Sequence, residues 1–138
     1  MATLLAAAAI SRLTAQDISA SKVPAAVKSA FTQKYPDAQK VSWEKENGNY
    51  EANWGGKSGE DNSAQFTPAG NFVEIVLAIP VDQLPANVTS YVKTHYKATI
   101  KEAGKVTDAA GKLSYEAEIK GKDLVFDEAG NFVKEDKD

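Results

Sequence analysis

Two pairs of carboxylates stand out among the residues that could do chemistry: Glu44 with Glu51, and Glu116 with Glu118. A general acid and a general base would need such a pair in a cleft, with their pKa values pushed apart. A cation carrier would need several carboxylate oxygens aimed at one point. All four glutamates fall in segments that alternate polar and apolar residues, and such glutamates usually form the wet face of a sheet. Catalysis is therefore not expected of them. The remaining inventory is thin. The single histidine, His95, lies off the apolar stripe of its helix and reads as solvated. No Gly-x-Ser-x-Gly elbow is present, one histidine cannot make a two-histidine metal site, and the absence of cysteine removes thiolate chemistry. Residues 55–62, which contain Lys57, are glycine-rich but lack the order of a phosphate-binding loop and the alternating oxygen ligands of a calcium loop. They read as a hairpin loop. No catalytic residue, metal-ligand set or cofactor is expected.

The elements that would position these residues occur twice. Val23-Pro24-Ala25-Ala26-Val27 is matched by Leu84-Pro85-Ala86-Asn87-Val88. Tyr50-Glu51-Ala52 is matched by Tyr115-Glu116-Ala117, and the run from Phe66 through Gly70-Asn71-Phe72 by that from Phe126 through Gly130-Asn131-Phe132. Three blocks recurring in one order point to a duplication. The copies differ in length around residues 55–62 and 105–111, and such insertions are expected in surface loops. Each copy opens with a helix. Val23, Val27, Phe31 and Tyr35 form one apolar stripe, and Leu84, Val88, Val92 and Tyr96 form the other. Alternating segments follow, separated by glycines at Gly48, Gly70, Gly111 and Gly130 that suit tight hairpins.

The fold class implied is α+β. About eight antiparallel strands would form one sheet, an estimate from alternation and turn signals, with both helices on one face. Residues 23–138 would be a single domain of two repeats, 23–81 and 82–138. The face opposite the helices would carry Glu44, Glu51, Asn53, Gln65, Glu116, Glu118 and Lys120. Trp43 and Trp54 lie on the apolar phase of their strands. They are expected in the core, and would become binding anchors only if they reached the sheet edge or the open face.

Residues 4–10 form an apolar run before a polar start at Gln16, the pattern of a secretory signal cleaved near Ala15. Residues 16–22 would then be a linker, and the mature chain would lie outside the cytoplasm with no membrane insertion. Of the 138 residues 25% are charged, and a net charge of −3 gives no basic field for nucleic acid.

The Leu-Pro-x-x-Val helix start, the Tyr-Glu-Ala strand and the Phe-x-x-x-Gly-Asn-Phe hairpin resemble those of PepSY-like exported proteins with the β-lactamase-inhibitor-protein-like fold. The resemblance implies tandem helix-plus-sheet repeats in one continuous sheet, and a periplasmic or secreted protein of a Gram-negative bacterium. It implies no settled activity. The expectation is a monomeric, non-catalytic binding or inhibitor-like module that docks a protein or peptide on the open sheet face. Glu44, Glu51, Asn53, Gln65, Glu116, Glu118, Trp43, Trp54 and Lys57 are its candidate contacts. The alternative is a carrier of a small molecule or cation that uses the sheet-face carboxylates.

Overall fold

The computed structural model describes residues 16–137. The apolar run at 4–10 and the expected cleavage site lie outside them. Nine strands form one antiparallel sheet, and every strand pairs with its neighbour in sequence. The first half contains β1 (Gln16–Ile18), α1 (Ala25–Lys34), β2 (Ser42–Glu46), β3 (Asn49–Trp54) and β4 (Asn62–Phe66). The long strand β5 (Phe72–Ile79) leads to α2 (Ala86–Tyr96). The sheet then continues through β6 (Glu102–Asp108), β7 (Leu113–Ile119), β8 (Lys122–Asp127) and β9 (Phe132–Lys137).

The helices begin and end where local chemistry dictates. Pro24 and Pro85 stand immediately before the first helical residues. A missing N–H costs nothing there, because the first helical turn has no intrahelical acceptor to serve it. Tyr35 caps the end of α1 and Pro36 follows, which cannot continue a helix. Lys97 ends α2 in the left-handed region at φ 49°.

Cross-strand register puts both helices on one face. Trp43, Ala52, Ala64 and Ile75 are successive partners across β2 to β5. Ile79, Ala103, Ala117 and Leu124 are successive partners across β5 to β8. Ile75 and Ile79 share a face of β5, because side chains alternate with a period of two. Val27 and Phe31 of α1 pack on the first group, and Val88 and Val92 of α2 on the second. The α1 side is aromatic: the Phe31 ring lies 5.3 Å from Trp43, 5.1 Å from Trp54 and 5.7 Å from Tyr35. The α2 side uses Ile119 and Leu124, with Tyr91 stacked on Phe132 at 4.8 Å.

The two long hairpins are alike. Each has a bulge, between Gln65 and Phe66 in one and between Val125 and Phe126 in the other. Gly70 at φ +87° and Gly130 at φ +83° turn the chain. The Gly70 N–H donates to the Thr67 carbonyl and the Gly130 N–H to the Asp127 carbonyl, both at 2.9 Å. Both turns tuck against the start of a helix. A Cβ on Gly70 would come within 2.7 Å of the Ala26 carbonyl oxygen, and Asn87 Nδ2 donates to the Ala129 carbonyl at 2.8 Å.

Two expectations change. The additional strand is β1, inside the segment 16–22 that read as a linker; three residues are too few to show alternation. The second copy does not spend all the extra residues that precede its Tyr115-Glu116-Ala117 block on a loop. They lengthen β6, which pairs with β5 from Glu74↔Asp108 to Ile79↔Ala103 and joins the two halves.

Candidate functional site: an acidic sheet face

Trp43 faces α1, so strand alternation sends Glu44 to the opposite face. Register then assembles a row across six strands: Asp17, Glu44, Glu51, Gln65, Glu74 and Asp108 are successive cross-strand partners. A second row crosses the other end of the sheet through Glu102, Glu118, Asp123 and Asp136. Between them Glu116 pairs with Gly104 on one side and Val125 on the other. Like charges directly opposite one another across strands are normally avoided. Here they recur along both rows.

The centre of this face is not the wet surface that alternation suggested. Glu51 is 4% exposed, Asn53 3%, Gln65 6% and Glu116 5%, while Glu44 and Glu118 are half-buried. The described residues that surround them belong to strands, since both helices pack on the other face. Some polar groups are satisfied: Ser63 Oγ donates to Asn53 Oδ1, and Asn49 Nδ2 to Gln65 Oε1 at 3.5 Å. Glu51 Oε2 and Glu116 Oε1 are buried and have no hydrogen-bond partner among the described residues. Glu116 reaches over Gly104, where an added Cβ would stand 3.8 Å from its Oε2 and 3.0 Å from Val76 Cγ1. Glycine inside a strand marks a place where something must approach the backbone closely.

Burial and mutual repulsion hold these carboxyls protonated well above the usual range. Glu51 is pushed up to about 8, first by burial and then by Glu46 and Glu44, against a lowering hydrogen bond from Asn53. Glu116 is raised well above its ordinary value, by burial first and then by Glu74, Asp123, Glu51 and Asp136. Glu74 is raised by burial and Asp108, and is held back by Lys134. Perturbed carboxyls that act on one another across several strands are a mark of functional sites.

The structure brings Glu44, Glu51, Asn53, Gln65, Glu116 and Glu118 onto one face and sets the other candidates apart. Trp43 and Trp54 pack beneath α1, and Lys57 is exposed in the loop after β3. Lys120 falls in the turn after β7 rather than in the strand. His95 is exposed and stacks on Tyr91. Asp17, Glu46, Glu74, Glu102, Asp108, Asp123 and Asp136 lie on the same face. Sequence reading passed over them because only the register of distant strands aligns them. Among the described residues no three His, Asp or Glu side chains are placed to hold a metal ion.

The scaffold is therefore α+β, with one sheet face committed to its helices and rows of polar residues on the other. Residues 11–55 and 55–134 match the family described as "Putative beta-lactamase-inhibitor-like, PepSY-like". The chain belongs to that family. Its fold is similar to that of a "putative periplasmic" protein from Bacteroides eggerthii, at 18% identity and TM-score 0.70, covering 83% of this chain and 88% of that one. It is also similar to a DUF2874 family protein from Bacteroides ovatus, at 20% identity and TM-score 0.67, covering 83% and 86%. A BLIP-like protein from Bacteroides fragilis matches at 20% identity and TM-score 0.62, with the same coverage of 83% and 86%. No curated protein matches the chain.

Proposed function

We propose that the chain is a periplasmic, non-catalytic binding module that docks a protein or peptide segment on the strand face opposite its helices. One observation carries this reading: two cross-strand rows of carboxylates on the face opposite the helices. The helix-covered face is committed to packing, so it has no surface to offer near Val27, Phe31, Val88 or Val92. Strands hold the polar groups in fixed order, which lowers the entropy lost on binding. The acidic rows favour a basic partner and speed its encounter. Family membership and the periplasmic description of the B. eggerthii relative support the compartment. A metal carrier is the weaker reading, because the described acids spread along rows instead of converging.

Site-specific photo-crosslinking in the native periplasm tests this. A photoreactive residue at Glu44 or Glu118 is expected to trap a protein adduct, and one at the exposed Ser29 of α1 is not. Equal adducts from all three positions, or adducts from Ser29 alone, would remove the face from consideration.

A further inference from the structure

We infer that the flank of α2 is a second binding site, for a small amphiphilic carboxylate whose apolar tail lies in a groove beside Ile100 and whose anionic head is held by Lys93 and Lys97. The site is on the helix side of the sheet, away from the acidic rows, and does not depend on the docking reading above. The first support is room. An open groove of about 600 Å³ runs between α2 and the segments that enter and leave the helix. Small-molecule sites measure about 300–1,000 Å³ and are mostly apolar, with a few polar groups that fix orientation. The floor here is Val81, Ala98 and Ile100. All three are half-buried: one side of each packs on the cluster beneath the helix, and the rest lines the groove.

The second support is charge. Thr89, Lys93 and Lys97 follow one another at four-residue steps, so they line one side of the helix, and all three are exposed. The ion pairs among the described residues join Lys122 to Glu135 and Lys134 to Asp136, and neither groove lysine takes part in one. A helix C-terminus favours lysines in its last turn, but it does not ask for an apolar hollow beside them. A cationic occupant would meet two ammonium groups, and a wholly apolar one would leave both without a partner. A tail that ends in a carboxylate suits floor and rim together, and the lysine stems can lie along it.

The third support is the difference between the two copies. Aligned on Tyr35 and Tyr96, α1 carries Lys28, Thr32 and Pro36 where α2 carries Thr89, Lys93 and Lys97. The two lysines one turn apart belong to the second copy alone, so duplication does not account for them.

The probe is decanoate at pH 7, below its micelle concentration. Decyltrimethylammonium and decyl glucoside carry the same tail with a cationic and a neutral head. Amide NMR locates binding, and titration gives the affinity. Decanoate is expected to bind saturably, with shifts centred on Val81, Thr89 and residues 98–100, and the cationic amphiphile to bind at least about tenfold more weakly. Lys93→Gln combined with Lys97→Gly is expected to weaken decanoate by about tenfold and the glucoside by less than about twofold. The fold should survive both changes: Lys97 sits at φ 49°, where glycine is easier, and glutamine keeps the helix propensity of lysine. Lys40→Gly is the matched control. That lysine is also exposed and also left-handed, at φ 55°, but it is outside the groove, and its loss should leave binding unchanged. Absence of saturable decanoate binding, shifts centred elsewhere, equal affinity for the two charged tails, or an undiminished double variant overturns the inference. The crosslinks at Glu44 and Glu118 bear on the acidic face alone, so the two readings stand or fall separately.

Discussion

Glu51 is a residue that folding has made uncomfortable. Its carboxyl stays protonated up to about pH 8 in the folded chain, against an ordinary value of 4.5. Between those values the folded state holds a proton that the unfolded state has lost. Stability must therefore fall as pH rises through that window, and level off below it. Glu116 and Glu74, shifted the same way, add to the slope. Thermal melts are expected to show a Tm roughly 5 °C or more lower at pH 8 than at pH 5, the size of a 1–2 kcal/mol change in a domain of this length. Glu51→Gln should raise the Tm at pH 8 and flatten the profile. A profile unchanged by that substitution would mean the carboxyl is solvated after all.

Among the elements, the two glycine hairpins test how turn and helix fit together. Gly70 and Gly111 both have positive φ, so alanine is strained at either, by roughly 1–2 kcal/mol. Only at Gly70 would the new methyl also meet backbone, the Ala26 carbonyl of α1, whereas nothing lies within 4 Å at Gly111. Gly70→Ala is expected to lower the denaturation midpoint clearly more than Gly111→Ala; equal effects would show that the turn does not press on the helix. These elements were legible in the sequence because their signals are local. The stripe Val23, Val27, Phe31 appears every four residues, and Gly70-Asn71 recurs as Gly130-Asn131. Strand β1 was not legible, since three residues carry no period. The acidic face was half legible: alternation put Glu51 and Glu116 on the polar side, but it could not tell that side's buried centre from its wet rim. That difference depends on which residues oppose one another across strands, as Glu51 opposes Glu44 and Gln65. Register between distant strands leaves no periodic trace.

At the scale of the whole molecule, two hydrophobic clusters lie under separate helices, and the β5–β6 ladder with Val76 and Val106 is the described link between them. Damage to one cluster should therefore be felt by both halves. Phe31→Ala removes a ring packed on Trp43, Trp54 and Phe66 and is expected to cost about 3–5 kcal/mol. Both tryptophans lie in the first half, so their fluorescence reports that half alone, while far-ultraviolet circular dichroism reports both. The two signals are expected to fall together in denaturant, in the wild type and in the variant. Separate midpoints would make the halves independent.

The order of the sheet has a mechanical consequence. Strands β1 and β9 are its two outer edges, and each strand between them is bonded only to its neighbours in sequence. Neighbouring strands in any sheet lie about 4.8 Å apart, and tension along that direction breaks ladder bonds one pair at a time instead of shearing a whole ladder at once. A force that draws the two ends of the described chain apart thus peels the sheet strand by strand, with β1, three residues long, going first. A machine that grips either end would therefore meet the ladders one at a time, and never the strength of the sheet as a whole.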